Sequence, residues 1–109
     1  MHLFLPNSTI NPSTNITITG SKSESNRLLL LKSLFKNLEI QNVSNSDDSQ
    51  YMLKALDSDN LTVDIHHAGT AMRFLTAYFA TLEGKTTLLT GSQRMQERPI
   101  KILVDTLRA

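Results

Sequence analysis

Residues 14–38 read TNITITGSKSESNRLLLLKSLFKNL. Two different hydrophobic periods meet in this stretch at a single glycine, Gly20. Polar and β-branched side chains alternate over residues 14–19, which is typical of a half-buried strand. Gly20 ends this alternation, and a helical period follows. The stretch therefore predicts a strand, a turn and then a helix over residues 26–38. The predicted inner stripe of that helix is Leu28, Leu31, Leu34, Phe35 and Leu38.

Strand and helix patterns continue to alternate along the rest of the chain. Further strands are predicted over residues 3–5, 39–43, 61–65 and 86–89. Further helices are predicted from the N-cap Ser46 to Leu56, over residues 70–81, and from Pro99 through Leu107. Residues 91–93 are predicted to be a loop. This order predicts an α/β fold.

Length, charge and cysteine content exclude several classes of protein. A chain of 109 residues with 39% hydrophobic residues can build one core but not two. Its net charge of +1 gives no broad field for nucleic acid or a membrane surface, so neither is expected as a partner. With no cysteine, disulfides and thiol catalysis are excluded. The first residues lack the pattern of a signal peptide, so the expected compartment is the cytoplasm.

The first of three cation-bearing segments is residues 20–27, GSKSESNR, at a predicted boundary between strand and helix. Gly20 allows a close backbone turn, and the following helix start presents free N–H groups. If the helix has begun by Ser23, Arg27 projects from the same face. Hydroxyls, Lys22, Arg27 and a helix N-terminus together suit a phosphate or carboxylate. The alternative is a capped helix whose cations are merely solvated.

The second segment is residues 66–73, HHAGTAMR, again where a strand ends and a helix begins. Gly69 allows close backbone approach, Thr70 opens the predicted helix, and Arg73 lies four residues after the glycine. The histidine pair at the start of the segment invites a metal interpretation. Adjacent side chains at a strand end are expected to point in opposite directions, however, and no third clustered ligand is present. A hydrogen-bonding or solvent-facing role is therefore favoured for the pair.

The third segment is residues 94–99, RMQERP. Arg98 is predicted just before the last helix, with its guanidinium near that helix's N-terminus. A cation is disfavoured there unless an acid or a bound anion compensates it, and Glu97 is the structural alternative to an anion. Three helix starts of the same design predict a cleft lined by cations that takes a ligand with more than one negative group.

These segments resemble the 5-enolpyruvylshikimate-3-phosphate synthase family. Residues 20–27 resemble its GSKSxSNR signature, residues 68–73 its NAGTAMR segment, and residues 89–100 its LTGxxRMxERPI segment. Residues 46–48 are similar to the family's SDD at a helix start, and residues 103–108 continue the match. The related transferase that acts on a UDP-sugar usually has a KNA-type motif at the first position. The resemblance is therefore to the shikimate branch.

The resemblance implies a reaction and the residues that serve it. The carboxyvinyl group of phosphoenolpyruvate passes to the 5-hydroxyl of shikimate 3-phosphate through a tetrahedral intermediate, with release of phosphate and without a metal or organic cofactor. The implied ligands of shikimate 3-phosphate are Lys22, Ser23 and Arg27. The implied ligands of phosphoenolpyruvate are Lys22, which is also the implied catalytic residue, Gly69 and Arg98. The implied supporting residues are Asp48, Thr70 and Arg73.

The sequence departs from the family pattern at three places. His67 stands where the family usually has Asn, and Phe74 stands where Pro is common. The stretch between Asp48 and His66 is shorter than in long-chain members. The departure at His67 predicts altered hydrogen bonding next to Gly69, and the departure at Phe74 predicts a changed pocket wall.

The resemblance also implies a division of the chain. Family members are several times longer and have two lobes, each an inside-out α/β barrel of three βαβαββ units. Residues 1–19 are expected to be first strands of the lower lobe, and residues 20–109 the first unit of the upper lobe, truncated at the C-terminus. As an N-terminal fragment that depends on the rest of the enzyme, the chain is expected to be inactive alone. The alternative is a non-catalytic anion-binding or interaction module.

Overall fold

The computed structural model describes all residues from 1 to 109 and confirms a small α/β domain. Its elements in chain order are α1 (Lys22–Leu34), α2 (Asp47–Leu56), β1 (Thr62–Asp64), α3 (Gly69–Ala80), β2 (Leu88–Thr90), α4 (Gln93–Gln96) and α5 (Lys101–Arg108). No helix is both long enough and apolar enough to cross a membrane.

Strands β1 and β2 form a two-stranded parallel sheet that α3 connects. Thr62 pairs with Leu88 and Asp64 with Thr90. Because the strands are parallel, their carboxyl ends lie at the same edge of the sheet, and so do the loops that follow them. This edge brings the second and third cation-bearing segments together.

The core lies between the sheet and helices α1, α2 and α3. Met52, Ile65 and Leu75 are fully buried within it. A buried polar contact joins the first two helices, since Ser49 Oγ of α2 donates a hydrogen bond of 2.9 Å to Asn26 Oδ1 of α1. This contact sets the N-terminal ends of α1 and α2 side by side.

The predicted helices over residues 46–56 and 70–81 are confirmed within one or two residues. Ser46 is the N-cap of α2, as predicted, and its hydroxyl accepts from the backbone N–H of Ser49. The last helix begins at Lys101 instead of Pro99, because Ile100 takes the N-cap position. The short helix α4 was not predicted, and it occupies part of the stretch expected to be loop.

Three predicted strands are wrong. Residues 3–5 and 14–19 form no strand, because no backbone hydrogen bonds pair them with another segment of this chain; all of residues 1–19 are exposed. Residues 39–43 also form no strand. Asn42 has a φ of 53°, which interrupts extended backbone, and its carbonyl oxygen instead accepts a hydrogen bond from the N–H of Gly20.

The predicted inner stripe of the first helix is also wrong. Leu31, Leu34 and Phe35 are exposed, whereas the buried positions of α1 are Ser25, Asn26 and Leu29. The helix starts at Lys22 and ends at Leu34, four residues earlier than predicted at each end. Hydrogen bonding to α2 and to the loop before it decides which face of α1 is buried.

Candidate functional site

Two loops at the carboxyl edge of the sheet are held together by backbone contacts. The N–H of Ser92 donates to the carbonyl oxygen of His66 at 2.8 Å. Gly91 permits this approach, because a Cβ there would lie 2.6 Å from the same carbonyl oxygen. The loop after β1 and the segment after β2 therefore form one surface, at the edge where ligands commonly bind in open α/β sheets.

Asp48 joins the N-terminal ends of three helices. Its Oδ1 accepts from the backbone N–H of Thr70 in α3 at 3.1 Å, and its Oδ2 lies 3.8 Å from Lys22 Nζ of α1. The N-cap of α3, Ala68, has no side chain that could accept this bond. Asp48 of α2 therefore caps α3 from outside the helix, and its negative charge suits the positive end of the helix dipole.

Arg98 lies against Gly69. A Cβ on Gly69 would overlap Nη1 of Arg98, so the guanidinium occupies the space that any other residue would need. The sequence predicts this guanidinium near the N-terminus of the last helix; the contact that the structure gives it is with Gly69, at the N-terminus of α3. No ion pair involves Arg98 or Glu97. The structural alternative, in which Glu97 compensates Arg98, is therefore not seen as an ion pair.

The remaining predicted site residues lie on α1 and α3. Arg27 Nη1 donates to the carbonyl oxygen of Ser23 at 2.8 Å, so these two residues share a face of α1, as predicted. The Arg27 guanidinium also lies 5.7 Å from the ring centroid of Phe74, which places the aromatic side chain of α3 beneath the cation. Arg73 Nη1 donates to the carbonyl oxygen of Gly69 at 3.4 Å, one turn back along α3.

The histidine pair is arranged differently from the prediction. His66 has a φ of 50°, so strand geometry has ended before it, and the two imidazole centroids lie 4.9 Å apart instead of on opposite faces. His67 Nε2 lies 3.2 Å from Asp47 Oδ2, and the Tyr51 ring stands edge-on to both imidazoles. No three His, Asp or Glu side chains lie close enough together to hold a metal.

Sequence reasoning missed the position of Arg94. Together with His67, Ser92, Met95 and Arg98 it lines a cavity of about 250 Å³ beside the start of α3. Arg94 belongs to the third cation-bearing segment, so its charge was visible in the sequence. The missing information was the short helix α4, which places Arg94 near His67.

These features define an α/β protein with a cationic edge where parallel strands end and helices begin. The family model described as EPSP synthase (3-phosphoshikimate 1-carboxyvinyltransferase) matches residues 56–109. The chain belongs to this family.

Curated relatives extend the similarity to most of the chain. A 3-phosphoshikimate 1-carboxyvinyltransferase of Bacteroides fragilis is 51% identical over 94 residues, which covers 85% of this chain and 23% of the relative. One of Haemophilus influenzae is 42% identical over 123 residues, which covers 85% of this chain and 28% of the relative. A pentafunctional AROM polypeptide of Kluyveromyces lactis is 41% identical over 126 residues, which covers 86% of this chain and 8% of the relative. No solved structure gives a significant match.

The chain thus spans about a quarter of the length of the bacterial relatives it matches. The Haemophilus influenzae alignment runs over 123 positions and the Bacteroides fragilis alignment over 94, although both use 85% of this chain. The longer alignment must therefore open gaps in this chain. The Haemophilus influenzae relative therefore has residues within the matched region that this chain lacks, whereas the Bacteroides fragilis relative has almost none.

We predict that Asp48→Ala lowers the free energy of unfolding by about 1–2 kcal/mol, because it removes the cap of α3 and leaves the Thr70 N–H without its partner. Urea denaturation followed by circular dichroism measures the change. Asp47→Ala is the matched control: it removes the neighbouring acid of the same helix turn, whose carboxylate is exposed and pairs only with His67. Equal losses for the two variants would contradict the capping role of Asp48.

Proposed function

We propose that this chain supplies part of the active site of a transferase that moves the carboxyvinyl group of phosphoenolpyruvate to the 5-hydroxyl of shikimate 3-phosphate, releasing phosphate. The observation that carries the proposal is the convergence of Lys22, Asp48 and Arg98 on the N-terminus of α3. The two substrates carry phosphate and carboxylate groups, which cations and helix N-termini bind well. The names of the relatives support the same reaction.

Each proposed contact follows from where its side chain lies. Lys22, Ser23 and Arg27 occupy the first turns of α1 and would bind shikimate 3-phosphate. Arg98 and the backbone of Gly69, together with Lys22, would bind phosphoenolpyruvate. The supporting residues hold this arrangement from neighbouring positions: they are Asp48, Thr70 and Arg73.

Lys22 is the proposed catalytic residue because it can serve both substrates. Its side chain is about half exposed, at 49%, and its contact with Asp48 is loose, at 3.8 Å. The ammonium group can therefore exchange part of that contact for substrate oxygens, and a flexible point charge can reach two ligands at once. Once it is held by the substrate oxygens, this positive charge would stabilise the negative charge that develops in the addition step.

The proposed architecture treats the chain as one part of a two-lobed enzyme acting in the cytoplasm. Residues 20–109 would be the first βαβαββ unit of the upper-lobe inside-out barrel, and residues 1–19 would supply strands to the lower lobe. Two observations support this division: residues 1–19 are exposed throughout, and α1 exposes Leu31, Leu34 and Phe35. The rest of the enzyme would cover these surfaces and supply the remaining catalytic groups, so the chain alone would be inactive.

The test uses a chimera of the Bacteroides fragilis relative in which this chain replaces the matched 94-residue segment. We expect the chimera to transfer the carboxyvinyl group. Lys22→Ala within the chimera is expected to lower kcat/KM by on the order of 100-fold, because a charge contact to the transition state is lost. Lys85→Ala is the matched control, since Lys85 pairs with exposed Asp59 beyond the C-terminal end of α3.

A Lys22→Ala chimera within about twofold of its parent would contradict the proposed catalytic role. A chimera that folds and binds shikimate 3-phosphate but shows no turnover would instead support the non-catalytic anion-binding module. Steady-state release of phosphate gives the first readout, and a binding titration gives the second.

A further inference from the structure

Phe74 of α3 lies beneath a cation that belongs to a different helix. The Cζ atom of Arg27, on α1, lies over the Phe74 ring at 5.7 Å from its centroid, within the range in which a ring face attracts a cation. The chain has one other contact of this kind, between Lys54 and Tyr51, and both of those residues belong to α2. The Phe74 contact therefore joins the two helices that carry proposed substrate contacts at their N-terminal ends.

The ring of Phe74 is itself held in place. Phe74 is half-buried and packs against the apolar core, next to the fully buried Leu75. The core therefore fixes where the ring face lies. Arg27, by contrast, is exposed, and its long side chain has much rotamer freedom to lose when it is ordered. The fixed ring thus limits the movement of a side chain that solvent alone would leave free.

The other contact of the Arg27 guanidinium leaves most of its donors free. Its one hydrogen bond runs from Nη1 to the carbonyl oxygen of Ser23 at 2.8 Å, and no carboxylate forms an ion pair with Arg27. A guanidinium has several N–H donors, so the others remain available. A carboxylate in place of the ring would orient Arg27 but would also neutralise it and occupy its donors. The Phe74 ring orients the cation and keeps its charge available to an anionic ligand.

We propose that Phe74 is a positioning residue, whose ring holds the Arg27 guanidinium in the orientation that binds shikimate 3-phosphate. This rests on the proposed function and deepens it, because Arg27 is a proposed ligand of that substrate. A guanidinium that is ordered before binding loses less freedom when the ligand arrives, so the ring raises the affinity. Phe74 stands where Pro is common in the family, and proline has no ring face that attracts a cation.

NMR spectroscopy of the 109-residue chain tests the contact itself. Protons above an aromatic face resonate upfield, so we expect the Arg27 Hε signal of the parent to lie upfield of its position in a Phe74→Leu variant. Leucine keeps an apolar side chain and suits a helix, but it removes the ring. Phe74→Tyr keeps the ring and is expected to restore the shift. An Arg27 Hε signal at the same position in the parent and in Phe74→Leu would overturn the proposal.

Titration of the same chain with shikimate 3-phosphate, followed at the backbone amides of the first turns of α1, measures the effect on binding. We expect Phe74→Leu to raise the dissociation constant about three- to tenfold, and Phe74→Tyr to stay within about twofold of the parent. Phe79→Leu is the matched control, because Phe79 is also half-buried on α3 and packs against the same core but lies under no cation. It is expected to leave the dissociation constant unchanged. Thermal unfolding checks that each variant is folded.

A double-mutant cycle separates positioning from general packing. In an Arg27→Gln background, Phe74→Leu is expected to have no further effect on the dissociation constant, because the group that the ring positions is gone. An equal loss in both backgrounds, or a loss as large for Phe79→Leu, would show a packing role only and would overturn the proposal.

These measurements are distinct from the test of the transferase reaction, which depends on Lys22 in the chimera. Binding that depends on Phe74, together with a chimera that shows no turnover, would keep the positioning role and contradict the proposed reaction. A chimera whose turnover depends on Lys22, together with binding that is indifferent to Phe74, would keep the reaction and overturn the role of Phe74.

Discussion

Gly69→Ala is expected to weaken binding of phosphoenolpyruvate to this chain by about tenfold to hundredfold, because the new methyl group would overlap Nη1 of Arg98. The guanidinium must then move away from the N-terminus of α3. The overlapping atom is the free end of a flexible side chain, so the fold can accommodate the methyl group. Isothermal titration calorimetry measures the affinity, and thermal unfolding checks that the variant is folded.

Arg98→Lys is the matched comparison for this variant. It keeps one positive charge and removes the bidentate fork, so we expect a similar loss of affinity without any crowding at Gly69. A Gly69→Ala variant that binds phosphoenolpyruvate as tightly as the parent would show that the proximity of Arg98 to Gly69 has no role in binding. A variant that fails to fold would show that Arg98 cannot move as described.

Gly20→Ala is expected to destabilise the protein, lowering the free energy of unfolding by about 2–4 kcal/mol. Here the new methyl group would overlap the carbonyl oxygen of Asn42, which also accepts a 3.0 Å hydrogen bond from the Gly20 N–H. The obstacle is backbone, so relief of the overlap would break this bond and move the chain that leads into α1. Urea denaturation of the purified variant measures the loss.

Gly84→Ala is the control for the cost of a glycine substitution in this chain. Gly84 has a φ of 71° and open space where a Cβ would lie, so only backbone strain is expected, about 1 kcal/mol. A Gly20→Ala variant no less stable than Gly84→Ala would contradict the described packing of Gly20 against Asn42.

The elements that were predictable are those whose signals are local. Ser46 followed by two acids marks the start of α2, and the apolar period beginning at Ala71 marks α3; both helices are present with nearly the predicted bounds. Residues 14–19 carry an equally clear strand pattern but form no strand here. A strand requires a partner, and the pattern says nothing about whether this chain contains one.

The buried face of α1 could not be read from hydrophobic period alone. The buried polar side chains Ser25 and Asn26 accept hydrogen bonds from Ser44 N–H and Ser49 Oγ. These partners lie about 20 residues away in sequence, so the preference for this face arises only in the folded chain. The predicted inner stripe instead has exposed members, among them Leu31 and Leu34.

The candidate site shows the same division between local and long-range information. The cationic side chains and the helix starts are visible in the sequence; in the structure Lys22 contacts Asp48, and Arg98 lies against Gly69. The partners were not visible: Asp48 caps a different helix from its own, and Arg98 reaches the start of α3 through the turn that follows α4. Both facts depend on how the loops meet at the sheet edge.

The most direct test is a residue-by-residue NMR titration of the 109-residue chain with shikimate 3-phosphate and phosphoenolpyruvate together. If the first turns of α1, the start of α3 and the segment around Arg98 share one pocket, the perturbed amides will form a single patch containing Lys22, Gly69 and Arg98. Perturbations scattered over separate surfaces, or confined to one of these three segments, would contradict a shared site.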